Sequence, residues 1–584
     1  MPMPQRLALF FAVQCAAFFG AGDVRADRPN VIVVMTDDQG YGDFSCHGNP
    51  VLKTPHLDRL HGESIRLTDF HVAPMCTPTR GQLMTGVDCL RNGAMNVSSG
   101  RTMLRLKFPT AGDLFTQAGY RTGQFGKWHL GDTYPYRPQD RGFQETVFFP
   151  SSHVGSAPDF FSNDYFDDVY SHNGVREKYE GYCTDVFFRE AMQWMKRSAE
   201  AGAPFFCYLA TNAPHGPWYA RAEDRQPYAD QKEMVAGFFG MLANIDDNMG
   251  RLETFLTESG LKQNTLLVFL TDNGGGAGLS VFNAGMRGGK VQLYEGGHRV
   301  PCFIRWPDGA LRPPGDLASL CEVQDLLPTL LDLCDVSTTT KFDGLSLASQ
   351  LRGSDTPLPD RTLVIQYSRM DIPAPRFGDA CVLHGPWRLV SDRELYDLRS
   401  DPRQSRNVLS QHPDVVDRLR TAYRKWWDGI EPGLNQREAL IIGSEAENPV
   451  LLSPADWEDS FLDQGKQVRE GLRRNGGWNV EAAQAGEYRF TLRRWPAEAP
   501  GPITAGKPEE KNTAGVFPAG VALPVASARI VVGDQSDEKK VAAEDEAVEF
   551  TLTLPAGRTQ LRTMLLDAAG QEIAGAYYVN VHRR

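Results

Sequence analysis

Hydrophobic and polar positions fall along the chain in three regimes. The first, spanning about 27–355, carries unbroken apolar runs that stop abruptly at polar residues: "NVIVVMTDDQGYGD", "PFFCYLATNAPHGPW" and "TLLVFLTDNGGGAG". A run without alternation reads as a strand buried on both faces, as in a parallel sheet, delivering its polar residues at its carboxyl end. Helical stretches over about 182–201 and 231–260 lie between the runs. Strand, helix, strand alternation predicts an α/β fold with a mostly parallel central sheet and helices on both faces. Ligands of such sheets sit at the carboxyl ends of the strands. Asp37, Asp38, His215, Asp272 and Asn273 are therefore expected to converge despite their separation in sequence.

The second regime, 356–444, has short strands in "RTLVIQYSR", "ACVLHGPWRLV" and "RELYDLRSDP", then the helical "PDVVDRLRTAYRKWWDGI". It predicts a small antiparallel α+β subdomain. The third, 445–584, alternates with period two in "GEYRFTLRRWP", "ASARIVVGD", "AVEFTLTLPAG" and "AGAYYVNVHRR", between Gly/Pro turns. That pattern predicts a β-sandwich-like accessory domain. The stretch 497–512, rich in Pro, Gly and charge, is the most linker-like. Residues 1–26 hold a basic residue, an apolar run and a terminal "VRA", the pattern of a secretory signal peptide cleaved before Asp27. The expected location is periplasmic or secreted, with no stable membrane insertion after cleavage, although a retained anchor stays open.

A chain of 584 residues suits two or three domains. Its net charge of -12 argues against nucleic acid as a partner, because phosphate binding needs a basic surface. Local lysines and arginines can still reverse the field inside one cleft. Of ten cysteines, those in "PFFCYLA" and "VPCFIRW" read as buried thiols, and an exported protein could pair others.

Two adjacent carboxylates at one strand end, joined by an Asp-Asn pair from another, make a hard oxygen cage for Ca²⁺ or Mg²⁺. "DDQG" or "DNGG" alone would pass for a turn; together at two buried strand ends they do not. Cys76 in "CTPTR" opens a helix, where backbone N–H groups attract anions and Pro78 is tolerated in the first turn. Arg80, four residues on, returns to the same face. No partner base or second cysteine is signalled nearby. "RGGKV" resembles a phosphate loop, but no Ser or Thr follows the lysine.

"CTPTRGQLMTG" closely resembles the type I sulfatase signature, and "GKWHLG" and "RGGKVQLYEGGHRVP" resemble that family's second and third motifs, in family order. The resemblance covers roughly 28–407, including "ELYDLRSDPRQSRNV", and residues beyond about 445 lie outside it. It implies the alkaline-phosphatase-like α/β fold and a sulfate-ester hydrolase. It further implies that a formylglycine-generating enzyme oxidises Cys76 to formylglycine, whose hydrate is the nucleophile. A diol leaves a second hydroxyl whose deprotonation expels sulfate, where a serine would be left as a stable ester. By the same resemblance Asp37, Asp38, Asp272, Asn273 and the modified Cys76 hold one divalent cation, Arg80 steadies the diol, and Lys127 and Lys290 clamp the sulfate. His215 protonates the leaving alcohol and His129 takes the proton that releases sulfate. Calcium is preferred to magnesium because the exterior is calcium-rich and an all-oxygen cage tolerates its larger coordination number.

His153, Trp218 and Tyr219 lie in polar, aromatic loops that suit a sugar or an aryl ring equally, or simple loop packing. The expected substrate is thus a small aryl sulfate or a sulfated glycan. Two other readings stay open: a phosphonate or phosphate ester hydrolase of the same superfamily, and an inactive sulfatase-like glycan-binding protein. The oligomeric state is not legible.

Overall fold

The computed structural model describes residues 28–366 and 374–584. The proposed signal peptide and Cys15 lie outside the described residues. Four parallel strands, β1 (Asn30–Thr36), β2 (Arg121–Lys127), β3 (Phe205–Ala210) and β4 (Thr265–Thr271), form the centre of a ten-stranded sheet in the order β4-β1-β3-β2. Beyond β2 come Glu145–Phe149 and the antiparallel ribbon Val169–His172 and Val175–Lys178. Beyond β4 come Cys302–Arg305, Ile65–Leu67 and Gly315–Leu317. The sheet is mostly parallel with antiparallel members toward its edges.

Both faces of β1 are apolar because both are covered. Val31, Val33 and Met35 pack with the helices Ala111–Gln117 and Leu326–Leu333, while Ile32 and Val34 pack with α2 (Cys183–Glu200) and α3 (Glu233–Glu258). Each such side chain, fully buried, contributes about 1.5–3 kcal/mol. On the Val31 face runs α1 (Cys76–Thr85), which joins the same core through Leu83 and Met84 and is buried at every residue.

Register then sets the site. β1 and β4 pair from Asn30–Thr265 to Thr36–Thr271, so Asp37 and Asp272 leave the sheet side by side. β3 pairs Ala210 with Met35 on one side and with Gly126 on the other, which puts Lys127 and the segment after Ala210 in the same layer.

Leu363–Gln366, Ala380–His384, Trp387–Val390 and Glu394–Asp397 form a four-stranded antiparallel sheet. The helix Pro413–Asp428 covers it with Val415, Val416, Leu419, Tyr423 and Trp427. C-terminal to these lie a six-stranded and a four-stranded sheet sharing a core that includes Trp478, Phe490, Ile530, Phe550 and Val581. Met103, Tyr136 and Ala157 from the first regime belong to that same core. The linker-like reading of 497–512 is overturned. Ile503 is fully buried, and the Arg494 guanidinium donates to the Ile503 and Ala505 carbonyls, so the segment is a packed loop. The nine described cysteines are all free thiols. Among the described residues no helix is long and apolar enough to cross a membrane.

Candidate active site

α1 begins at Cys76, after Met75 in extended conformation, and Pro78 sits in its first turn, where its missing N–H costs no hydrogen bond. The Cys76 thiol donates to Asp37 Oδ1 at 3.4 Å. Burial, reinforced by Asp37, pushes that thiol up. Arg80, one turn on, donates to Asp272 Oδ2 from Nη2 at 2.7 Å and Nε at 3.1 Å, and to Tyr208 Oη at 3.3 Å. Its Nη2 also lies 3.9 Å from Asp37 Oδ2.

Three carboxylates face three cations here. Lys127 Nζ donates to Asp37 Oδ2, and Lys290 Nζ to Asp38 Oδ2 at 2.8 Å. Asp38 takes a left-handed φ of 63°, uncommon for a non-glycine residue, and its N–H donates to Asp272 Oδ1 at 3.1 Å. Burial, then repulsion from Asp272, raises Asp37 to about 7. Burial works the same way on Asp38, but Lys290, His215 and Asn273 outweigh it and hold that carboxyl well below the usual range. Burial would lower Lys290, but Asp38 overrides it and holds the ammonium well above its ordinary value.

One ligand atom each from Asp37, Asp38, Cys76 and Asp272 lies within 4.8 Å of the others. Asn273 Nδ2 donates to Asp38 Oδ1 at 2.9 Å, while its Oδ1 is buried without a partner. An orphaned amide oxygen beside three carboxylates is a donor set that fits a hard dication.

The histidines ring this cluster. His129, at a left-handed φ of 59°, donates from Nε2 to the Val97 carbonyl at 3.0 Å, leaving Nδ1 buried and unpartnered. Burial and then Lys127 hold it neutral, well below its ordinary value. His215 donates from Nδ1 to the Gly216 carbonyl at 2.7 Å and puts Nε2 3.8 Å from Asp38 Oδ2. Burial and then Lys290 lower it to about 3. The ring of His153 stacks on that of His215 at 5.2 Å between centroids. Trp218 and Tyr219 line the cleft that opens from Asp38 and His215.

Two members were not anticipated. Tyr208 on β3 holds Arg80, yet a tyrosine in "FFCYLA" carries no sequence signal beyond an apolar strand. Asp463, far along the chain, accepts from Ser152 Oγ at 3.1 Å, and Ser152 Oγ lies 2.9 Å from His153 Nδ1. An acid in "FLDQGK" looks like any surface loop residue.

A family profile described as Sulfatase matches residues 29–336. N-acetylgalactosamine-6-sulfatase of Canis lupus familiaris is 30% identical over 379 residues, covering 60% of this chain and 70% of that one. Arylsulfatase A of Homo sapiens is 30% identical over 483 residues, covering 68% and 88%. Among solved structures, Ps i-CgsB in complex with k-i-k-neocarrahexaose superposes with a TM-score of 0.63 at 27% identity, covering 69% of this chain and 93% of that one.

Proposed function

The chain belongs to the sulfatase family of sulfuric ester hydrolases, and on that premise we propose that it cleaves a sulfate monoester of a glycan or an aryl alcohol, with formylglycine at position 76 as nucleophile. The observation that carries the reading is the charge arrangement around Cys76. Asp37, Asp38 and Asp272 are offset by Arg80, Lys127 and Lys290, so a bound dication leaves the buried cluster with an excess of two positive charges beside the nucleophile. A buried positive excess selects an anion. The names of the relatives support both substrate kinds, since one is an arylsulfatase, one a sugar sulfatase, and one solved relative holds a neocarrahexaose.

Asp37, Asp38, Asp272 and Asn273 hold the cation, which we take to be calcium. When bound it supplies charge that lowers the pKa of the nucleophile and polarises a sulfate oxygen. Arg80 fixes Asp272 and the first turn of α1. Lys127 and Lys290 exchange their carboxylate partners for sulfate oxygens and hold negative charge there through the transition state. His215 Nε2 delivers a proton to the departing alcohol. At rest it is neutral, and an arriving sulfate anion offsets Lys290 and raises it. His129 Nδ1, the orphaned lone pair, accepts the proton whose loss releases sulfate. We further propose an exported protein in three parts, 27–355, 356–444 and 445–584.

The test is the mass of the peptide containing Cys76, from protein purified from its native host, with turnover of matched sulfate and phosphate esters. An aldehyde or its hydrate with preference for the sulfate ester is expected. An unmodified thiol with no turnover would move the chain to the binding-protein reading, and a preference for the phosphorus ester would move it to the phosphonate or phosphate ester hydrolases.

A further inference from the structure

We infer that the C-terminal β-rich region is part of the substrate site, supplying one wall of the cleft and fitting it to a sulfated oligosaccharide rather than to a small aryl ester. This rests on the function proposed above. The cleft that opens from Asp38 and His215 holds about 730 Å³. Trp218 and Tyr219, from the segment after β3, line it together with Lys466 and Phe517, both beyond the family match. A cleft of that size accommodates a ligand well beyond one ring.

The C-terminal wall is fixed to the rest of the cleft. The Ala157 N–H donates to the Asp463 carbonyl at 2.7 Å, and Tyr578 Oη donates to the Ala157 carbonyl at 2.8 Å. The Thr513 N–H donates to Asp164 Oδ2 at 2.8 Å. Gly515 lies against Tyr219 so closely that a Cβ there would stand 2.9 Å from its ring. The Arg469 guanidinium sits over both Phe517 and Phe161, at 5.0 and 4.9 Å, and so ties the short antiparallel pair Glu510–Lys511 and Val516–Phe517 to the loop that follows His153. Through Asp463 and Ser152 the same region reaches His153 itself. An accessory region that merely tethered the enzyme would need none of these contacts.

The lining identifies the ligand. Trp218, Tyr219 and Phe517 offer apolar faces, and neither Trp218 Nε1 nor Tyr219 Oη has a hydrogen-bond partner among the described residues. Lys466 is two-thirds exposed, and its ion pair with half-exposed Glu470, at 3.6 Å, is a contact of little strength. Flat apolar faces bearing unused polar tips match a pyranose, which has an apolar C–H face and a rim of hydroxyls. An aryl ring would meet the faces and leave the tips unmet. The weakly paired ammonium suits a second anionic group on a neighbouring sugar.

The experiment compares kcat/KM for 4-nitrophenyl sulfate with that for sulfated hexasaccharides of a galactan and of a glycosaminoglycan, using the full chain carrying the aldehyde. The wild type is expected to prefer a hexasaccharide. In Lys466→Ala/Phe517→Ala the ratio of hexasaccharide to aryl kcat/KM falls at least tenfold, chiefly through KM, and Lys466→Arg alone keeps most of it. An unmoved ratio, or a wild type that prefers the aryl ester to every hexasaccharide, overturns the inference and leaves the sulfatase reading standing. Aldehyde-bearing protein that turns over no sulfate ester overturns both.

Discussion

Replacing Arg80 with Met tests the charge arrangement at its centre. The substitution keeps much of the side chain's bulk and removes the one guanidinium between Asp37 and Asp272. Arg80 and Asp272 are both fully buried, and two of the arginine's nitrogens lie at 2.7 and 3.1 Å from a single carboxylate oxygen. Three carboxylates would then face only Lys127 and Lys290. Removing one partner of a buried ion pair costs about 3–5 kcal/mol, because the remaining charge is neither solvated nor paired. A dication held by the same carboxylates restores the missing charge, and a unit charge about 4 Å away is worth about 4 kcal/mol at an effective dielectric of 20. The loss should therefore approach the full cost in chelator and shrink to less than about half of it in saturating calcium. Urea unfolding of wild type and variant, followed by tryptophan fluorescence with EDTA and with calcium, reads both numbers. An equal loss in the two conditions would refute the claim that Arg80 and the cation neutralise the same carboxylates, and no loss in either would refute the buried-charge argument itself.

Other outcomes follow from single positions. Gly126, near the end of β2, has φ +95° and would place a Cβ 1.9 Å from the Ala210 carbonyl oxygen, so Gly126→Ala is expected to cost several kcal/mol; soluble yield and Tm check this, and a Tm within a few degrees of wild type contradicts it. Asp159 accepts from the Gly155 N–H at 2.8 Å and Asn163 Nδ2 at 3.1 Å, but its Oδ1 is buried without a partner, and burial raises it from 3.8 to about 7. Between those values the native chain keeps a proton that the unfolded chain has released, so stability is lost as pH rises toward 7, by up to about 4 kcal/mol. Asp159→Asn should thus gain more stability over wild type at pH 8 than at pH 5, and a gain that does not change with pH would count against this account.

The site was legible at its strand ends and not at its C-terminal wall, for a physical reason. A strand buried on both faces contrasts sharply with the residues that end it, so "VVMTDD" and "VFLTDN" mark Asp37, Asp38, Asp272 and Asn273 without help. What the letters do not carry is register. That Thr36 pairs with Thr271 is decided by the packing of whole strands, and only that pairing brings Asp37 beside Asp272. Cys76 opened a helix as its prolines and following residues suggested, whereas the roles of the lysines and histidines came from family resemblance alone. Tyr208, Asp463, Lys466 and Phe517 act through docking of distant segments, which leaves no local pattern. The segment 497–512 was misread because Pro, Gly and charge serve a free linker and a packed loop alike; buried Arg494, bonded to its carbonyls, makes it the latter.

The complete burial of α1 has a consequence in time. Cys76 is 2% exposed in the folded chain, and no enzyme can grip a helix that has no outer face. The oxidation proposed for it would therefore run ahead of folding. The helix is sealed in part by Asp272, which cannot arrive until β4 has been made and has paired with β1. At 5–20 residues per second the roughly 200 residues between them take about 10–40 s to synthesise. Contacts so remote in sequence also form slowly. A fold that closes late would give the proposed modifying enzyme its interval, and a substitution that hastened closure without touching the site would yield folded protein with less aldehyde and less activity.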